Sequence, residues 1–205
     1  GDISSAGFMI VLTILSKNSK LLIRNININK TRSGLLEILK KMNADIRILN
    51  KRKYKCEYVG DIHVKNTNNL KSINCPENLN TSAIDEFLLI FLIAAKSNGV
   101  SLFKNLNELN KKESPRLNIA VDFLRMIGIK VIRKKDNIKI FGNSSLILKK
   151  DYHIKNFDKD HRVFMMSVIA ALTLGGNWKI DDRESIKTSF PKFIEITKSL
   201  GGKIN

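Results

Sequence analysis

Three stretches of this chain are apolar almost all round: 7–15 (GFMIVLTIL), 87–95 (FLLIFLIAA) and 163–174 (VFMMSVIAALTL). Each is shorter than the roughly 20 residues a membrane-spanning helix needs. A helix with no polar face must instead be enclosed by protein on every side. The rest of the 205 residues therefore has to wrap three buried helices, and a chain of that length can bury such a core without staples. Each stretch opens after an aspartate: Asp2, Asp85 or Asp160. Aspartate accepts hydrogen bonds from the free N–H groups of a first turn and suits its positive end, so all three read as N-caps.

The segments after the buried stretches also recur. A short strand is expected at 20–26, 100–105 and 177–181, then an amphipathic helix in LLEILKKMNA, VDFLRMIGI and FIEITKSLGG. Those helices end at Asn43, Gly128 and Gly201, residue types that accept the left-handed conformation of a helix C-terminus. The aspartates lie 83 and 75 residues apart, the turn residues 85 and 73. Two independent markers with one period indicate an internal repeat. Strand pairs come next at 46–50 with 58–65 and at 130–133 with 137–141, where Asp136-Asn137 marks a hairpin. Each repeat reads helix, strand, helix, strand, strand. The third stops four residues after Gly201, without its last two strands. That edge is either exposed or filled by another segment. The expected fold is a single α/β (α+β) domain over 1–205, with repeats at roughly 1–80, 81–155 and 156–205.

Lys and Arg number 36 against 19 Asp and Glu, a net charge of +17. Such a balance usually suggests nucleic acid or anionic lipid. Here 27 Lys, 22 Asn and 28 Ile share A/T-rich codons, so base composition accounts for much of the lysine. The lysines are also scattered, and no aromatic-interleaved basic ribbon or nucleic-acid motif appears. Neither nucleic acid nor a membrane is the expected partner; a small anionic substrate uses the same field. Cys56 and Cys75 are too few for a thiolate metal site or a disulfide scaffold, and they fit a reducing, cytoplasmic setting. His63 and His153 lie in strand-like segments without ligand-spaced partners, so no metal is expected. No signal peptide opens the chain. It begins at Gly1 rather than Met, and is expected to start within a longer protein.

GDISSA at 1–6, KESPRL at 112–117, DHR at 160–162 and SFPKF at 189–193 together resemble the carboxy-terminal half of the EPSP synthase (3-phosphoshikimate 1-carboxyvinyltransferase) family. The resemblance runs in order over essentially the whole chain. It implies one lobe of a two-lobed transferase, built of three βαβαββ repeats around buried helices, the third completed by the polypeptide's first residues. It further implies transfer of the enolpyruvyl group of phosphoenolpyruvate to the 5-hydroxyl of shikimate 3-phosphate, in the shikimate pathway of aromatic amino acid and chorismate synthesis. The partners would be those two substrates and the amino-terminal lobe, with no cofactor.

Residue by residue, Asp85 matches the family's general base and shikimate-phosphate ligand; its plain reading is an N-cap, with Glu86 beside it placed to share the capping. Ser114-Pro115 looks like an N-cap followed by proline at the first helical position, which puts Arg116 in the first turn, where the helix end adds to its charge. Arg116 matches a phosphoenolpyruvate ligand, Glu113 a carboxylate near the phosphoenolpyruvate methylene, and Lys112 a lysine at the shikimate phosphate. The alternative for this group is a solvated charged turn. Pro115 departs from the family's usual aspartate. Arg162 matches a second phosphoenolpyruvate arginine, and His161 an active-site histidine suited to proton relay or hydrogen bonding. Thr188 falls on a phosphoenolpyruvate lysine, with Lys187 one residue away as a substitute, and Glu108 on a polar shikimate 3-phosphate ligand. Ser4 and Ser5 read as structural. Rival readings are a transferase lobe acting on UDP-N-acetylglucosamine, a noncatalytic basic domain that binds anions or nucleic acid, and a purely structural repeat domain.

Overall fold

The computed structural model describes residues 1–205. The three apolar stretches form helices α1 (Ile3–Leu15), α3 (Phe87–Ala95) and α5 (His161–Leu174). Every residue of α3 is buried. The three pack on one another at the centre of the molecule, as uniform apolarity requires. The amphipathic segments form α2 (Gly34–Lys41), α4 (Arg116–Met126) and α6 (Phe193–Ser199). Their ends carry the expected left-handed residues: Asn43 at φ 68°, Gly128 at 83° and Gly201 at 96°. In each case the next N–H closes on a carbonyl five residues back: Ala44 to Leu39 at 3.0 Å, Ile129 to Leu124 at 2.9 Å and Gly202 to Thr197 at 3.0 Å. This is one stop signal used three times, and it satisfies carbonyls that the helix leaves free.

Strands β1 (Lys20–Asn27), β2 (Ile46–Tyr54) and β3 (Glu57–Lys65) form an antiparallel sheet in the order β1-β3-β2. Its middle strand turns Ile62 and Val64 inward. Strands β4 (Val100–Phe103), β5 (Val131–Lys134) and β6 (Asn137–Phe141) repeat that order as β4-β6-β5. The β5–β6 hairpin turns at Lys135-Asp136, with Lys135 at φ 54°, one residue before the expected position.

The strand-like segment around His153, left out of the helix-first repeat, is β7 (Leu148–Ile154), which pairs in parallel with β8 (Gly175–Ile180) across α5. Parallel bridges Lys71–Asn98 and Asn74–Leu102 straddle α3 in the same way. A strand-like segment therefore precedes the buried helix, and the unit is the βαβαββ that the resemblance implies rather than the helix-first order read from the residues. After α6 there is no hairpin, and the third sheet holds two strands. Trp178 of β8 stacks on Tyr152 of β7 (centroids 4.6 Å apart) and on Phe123 of α4 (6.1 Å), tying the second unit to the third. No helix is long and apolar enough to cross a membrane.

The first unit meets the Asp85 segment through Gly34. A Cβ there would lie 2.8 Å from the Ser82 carbonyl carbon and 2.9 Å from the Ala83 nitrogen, both backbone atoms that cannot swing aside. Gly34→Ala is expected to cost about 1–3 kcal/mol, the range for overpacking, measured by urea unfolding. A loss under a few tenths would mean that this contact yields freely.

Candidate active site

The N-terminal ends of the three central helices meet at one place. Two of the three aspartates cap as expected: Asp2 accepts from the Ser5 N–H (2.8 Å), and Asp160 from the N–H groups of Arg162 (2.9 Å) and Val163 (3.4 Å). Asp85 does not cap. It lies in a 3-10 turn, Thr81–Glu86, that runs into α3, and Glu86 occupies the capping position without a side-chain cap bond. The Asp85 carboxylate is therefore available to other elements.

Three cations take it. Lys112 Nζ stands 3.3 Å from Asp85 Oδ1, Arg116 Nη1 3.4 Å from the same oxygen, and Arg162 Nη2 3.6 Å from Oδ2. Arg162 Nη1 also donates to the Asp85 carbonyl at 3.1 Å. Burial alone would raise the Asp85 carboxyl, but Arg162, Lys112 and Arg116 outweigh it and hold the group below the ordinary carboxylate range.

Arg116 is the hub, its side chain only 1% exposed. It donates through Nε to Asp160 Oδ2 (2.8 Å), through Nη1 to Asp85, and through Nη2 to Glu113 and to Asp160 Oδ1 (3.4 Å). Asp160 is wholly enclosed. Burial pushes its carboxyl up, yet the bond and charge of Arg116, the Ser114 hydroxyl (2.8 Å) and the Arg162 N–H bring it below the usual value. Glu113, by contrast, is 56% exposed.

The turn before α4 differs from the sequence reading by one residue. Pro115 holds the capping position and Arg116 is the first helical residue. Ser114 does not cap, because its hydroxyl is committed to Asp160. Asn110 takes over, its Oδ1 accepting from the N–H groups of Leu117 (3.2 Å) and Asn118 (3.3 Å). The start of α4 is thus capped from the preceding 3-10 turn, Asn107–Lys111.

His161 opens α5 half-buried beside this cluster. Burial and then the Arg162 charge lower its pKa, against the pull of Asp160, so the ring is neutral at physiological pH. Glu86 lies beneath, 3% exposed, accepting from Ser4 Oγ at 2.6 Å and 3.6 Å from Arg162 Nη1.

The structure brings together Asp85, Lys112, Glu113, Arg116, His161 and Arg162. It does not bring in the others. Glu108 is exposed and pairs with Lys111 at 2.9 Å. Lys187 is exposed and pairs with Glu184, and Thr188 is exposed beside it. Sequence reasoning read Asp160 only as a cap, missed Asn110, took Ser114 for a helix cap rather than a partner of Asp160, and read Ser4 only as structural. Asp160 carried one usable signal, an acidic residue directly before His-Arg, which suits a counter-charge as well as a cap. No group of three or more His, Cys, Asp and Glu side chains is arranged to hold a metal ion. Chemically, the site offers an ionised carboxylate, an exposed carboxylate, a neutral imidazole and three cations at converging helix N-termini, a setting for reacting anions.

The family model for EPSP synthase (3-phosphoshikimate 1-carboxyvinyltransferase) matches residues 1–197. The chain is 36% identical over 200 residues to the 3-phosphoshikimate 1-carboxyvinyltransferase of Petrotoga mobilis, covering 98% of this chain and 45% of that protein. The Legionella pneumophila (strain Lens) protein of the same name is 39% identical over 200 residues, with the same coverage. A solved EPSP synthase from Acinetobacter baumannii superposes with a TM-score of 0.92 at 35% identity, over 100% of this chain and 46% of that one. The enolpyruvyl transferase NikO from Streptomyces tendae shares the fold, with a TM-score of 0.68 at 12% identity, over 99% of this chain and 43% of that one. The chain thus spans about half the length of the curated relatives it matches.

Proposed function

This chain belongs to the EPSP synthase family, and from that premise we propose that residues 1–205 form a single lobe, of repeats at roughly 1–80, 81–155 and 156–205, supplying one wall of an active site. The reaction transfers the enolpyruvyl group of phosphoenolpyruvate to the 5-hydroxyl of shikimate 3-phosphate and releases phosphate. The setting is the cytoplasmic synthesis of aromatic amino acids, and an amino-terminal lobe supplies the facing wall. One observation carries this reading: Asp85, Glu113, Arg116 and Arg162, up to 77 residues apart in sequence, meet in one hydrogen-bonded cluster.

The chemistry derives from the charges. Asp85 takes the 5-hydroxyl proton as that oxygen attacks C2 of phosphoenolpyruvate, while an acid delivers a proton to the methylene carbon. The tetrahedral adduct then loses phosphate and the methyl proton. Glu113, exposed and bound only through one arginine nitrogen, is free to swing to the methylene carbon and serve both proton transfers. His161, neutral, is placed to relay a proton or to hydrogen-bond the adduct. Arg162 and Arg116 bind phosphoenolpyruvate, and Lys112 the shikimate phosphate. Without substrate these cations spend their charge on Asp85; arriving phosphates compete for them, and the carboxylate they release becomes a better base. A second lobe closing over the site would expel water and strengthen each of these interactions. Thr188, Lys187 and Glu108, outside the cluster, are assigned to substrate contacts made on that closure.

The 205-residue chain given both substrates should release no phosphate. Addition of the amino-terminal lobe should restore release with shikimate 3-phosphate and not with UDP-N-acetylglucosamine. Turnover by the chain alone would remove the need for a second lobe, and a preference for the UDP sugar would move the assignment to the sister reaction.

A further inference from the structure

A buried carboxylate costs several kcal/mol unless it is paired, so one that the reaction does not use calls for a cause. Glu86 is such a group. It precedes the first residue of α3 yet makes no capping bond. Its partners are Ser4 Oγ at 2.6 Å, from α1, and Arg162 Nη1 at 3.6 Å, from α5. It is thus the point where the three units touch through one side chain. Arg162 is itself only 14% exposed. Its two terminal nitrogens face three oxygens: the Asp85 carbonyl and Glu86 Oε1 at Nη1, and Asp85 Oδ2 at Nη2. Two of these belong to Asp85, whose carboxylate is exposed enough to engage substrate. Glu86 is the buried side chain among these partners, the Asp85 carbonyl being fixed backbone.

We propose that Glu86 is a positioning residue: anchored by Ser4, it holds the Arg162 guanidinium in its place in the cluster throughout turnover. This rests on the assignment of Arg162 to substrate, but the geometry it predicts is a property of the lobe itself. Ser4 Oγ, at 2.6 Å, ties Glu86 to the first turn of α1. The charged and titratable groups facing Glu86 are Asp2 from the start of α1, Asp85 beside it and Arg162 from α5. Burial raises its pKa above the ordinary range, only partly offset by Ser4 and Arg162, while Asp85 and Asp2 add to the rise. The folded lobe therefore takes up this proton before exposed glutamates do as pH falls, and Arg162 loosens with it.

The test reads the arginine side-chain N–H signals of the 205-residue chain by nitrogen-15 NMR, with Arg162→Lys to assign the resonance. In wild type the Arg162 signal should be ordered at neutral pH and broaden as pH falls, before exposed glutamates titrate. Glu86→Ala should speed its exchange with water by about tenfold or more, equivalent to about 1.4 kcal/mol. Ser4→Ala should do so in part. Glu86→Gln should keep partial order and abolish the pH dependence. Arg116, anchored separately by Asp160, should not change and reports that the fold is intact. In the two-lobe enzyme, Glu86→Ala should raise the KM for phosphoenolpyruvate about tenfold with little change in kcat, and Glu86→Gln should recover part of it.

An Arg162 signal in Glu86→Ala matching wild type, with Arg116 unchanged, overturns the assignment. If Glu86→Ala loses both signals, the decision passes to Glu86→Gln, where a pH response identical to wild type overturns it. A two-lobe enzyme inactive in wild-type form would sink the functional reading and leave the NMR outcome to decide the role of Glu86.

Discussion

Replacing Arg116 with alanine is expected to cost the fold about 3–5 kcal/mol at neutral pH, the range for breaking a buried ion pair by removing one partner. For a chain of this size that lowers Tm by roughly 10 °C. The loss comes less from contacts removed than from what remains. Asp160 is fully enclosed, and in the variant its carboxylate keeps only the Ser114 hydroxyl and two backbone N–H groups. The pH dependence separates this cause from simple cavity formation. In the wild type the folded Asp160 has a lowered pKa. Its contribution is complete above the unfolded value and is lost as pH falls through the folded one. Without Arg116, burial dominates and the folded pKa moves above the unfolded value. Ionising Asp160 then opposes folding more strongly as pH rises. The gap between variant and wild type should therefore widen from acid to neutral pH, measured by calorimetry at both. A gap independent of pH would show that packing, not charge, is what Arg116 supplies. Arg116→Lys should recover only part, because a single ammonium cannot reach Asp160, Asp85 and Glu113 together.

That a buried arginine organises this site was not legible in KESPRL, and the reason is physical. A charged turn next to proline looks the same whether it faces solvent or a carboxylate 44 residues further along the chain. The buried helices were legible, because an unbroken apolar run such as FLLIFLIAA leaves no surface that tolerates water. So were the helix ends, since Asn43, Gly128 and Gly201 all sit where only a left-handed residue closes the turn. β7 was legible only as a strand-like stretch around His153, without its place in the repeat. Only Leu148 and Ile154 at its two ends are buried, so its residues carry little alternation. Its partner β8 lies beyond α5, so no turn marks the pairing. Asp85 joins the cluster but does not cap its helix. The sequence contains the aspartate but not the 3-10 turn that aims it away from the helix.

Asp85→Asn should separate binding from chemistry by moving them in opposite directions. Asparagine has the same shape and keeps one oxygen, which can face Lys112 and Arg116, but removes the negative charge that these two and Arg162 share. Their field then falls on incoming anions undiluted, and the 205-residue chain should bind inorganic phosphate and phosphoenolpyruvate several-fold more tightly, by about 1 kcal/mol. In the two-lobe enzyme the same change removes the proposed proton acceptor, and kcat should fall by about 10²–10⁴. A purely structural Asp85 predicts neither sign: disorder in the cluster would weaken anion binding and turnover together. Titration of the chain with phosphoenolpyruvate, set beside steady-state kinetics of the reassembled enzyme, distinguishes the two. Weaker anion binding in Asp85→Asn would mean that the carboxylate organises the cations rather than competing for them, and the base would have to be sought at Glu113 or His161. Tighter binding with lost turnover would identify the cation cluster as a spring held closed by Asp85, opened by substrate charge, and releasing a base at the moment the hydroxyl arrives.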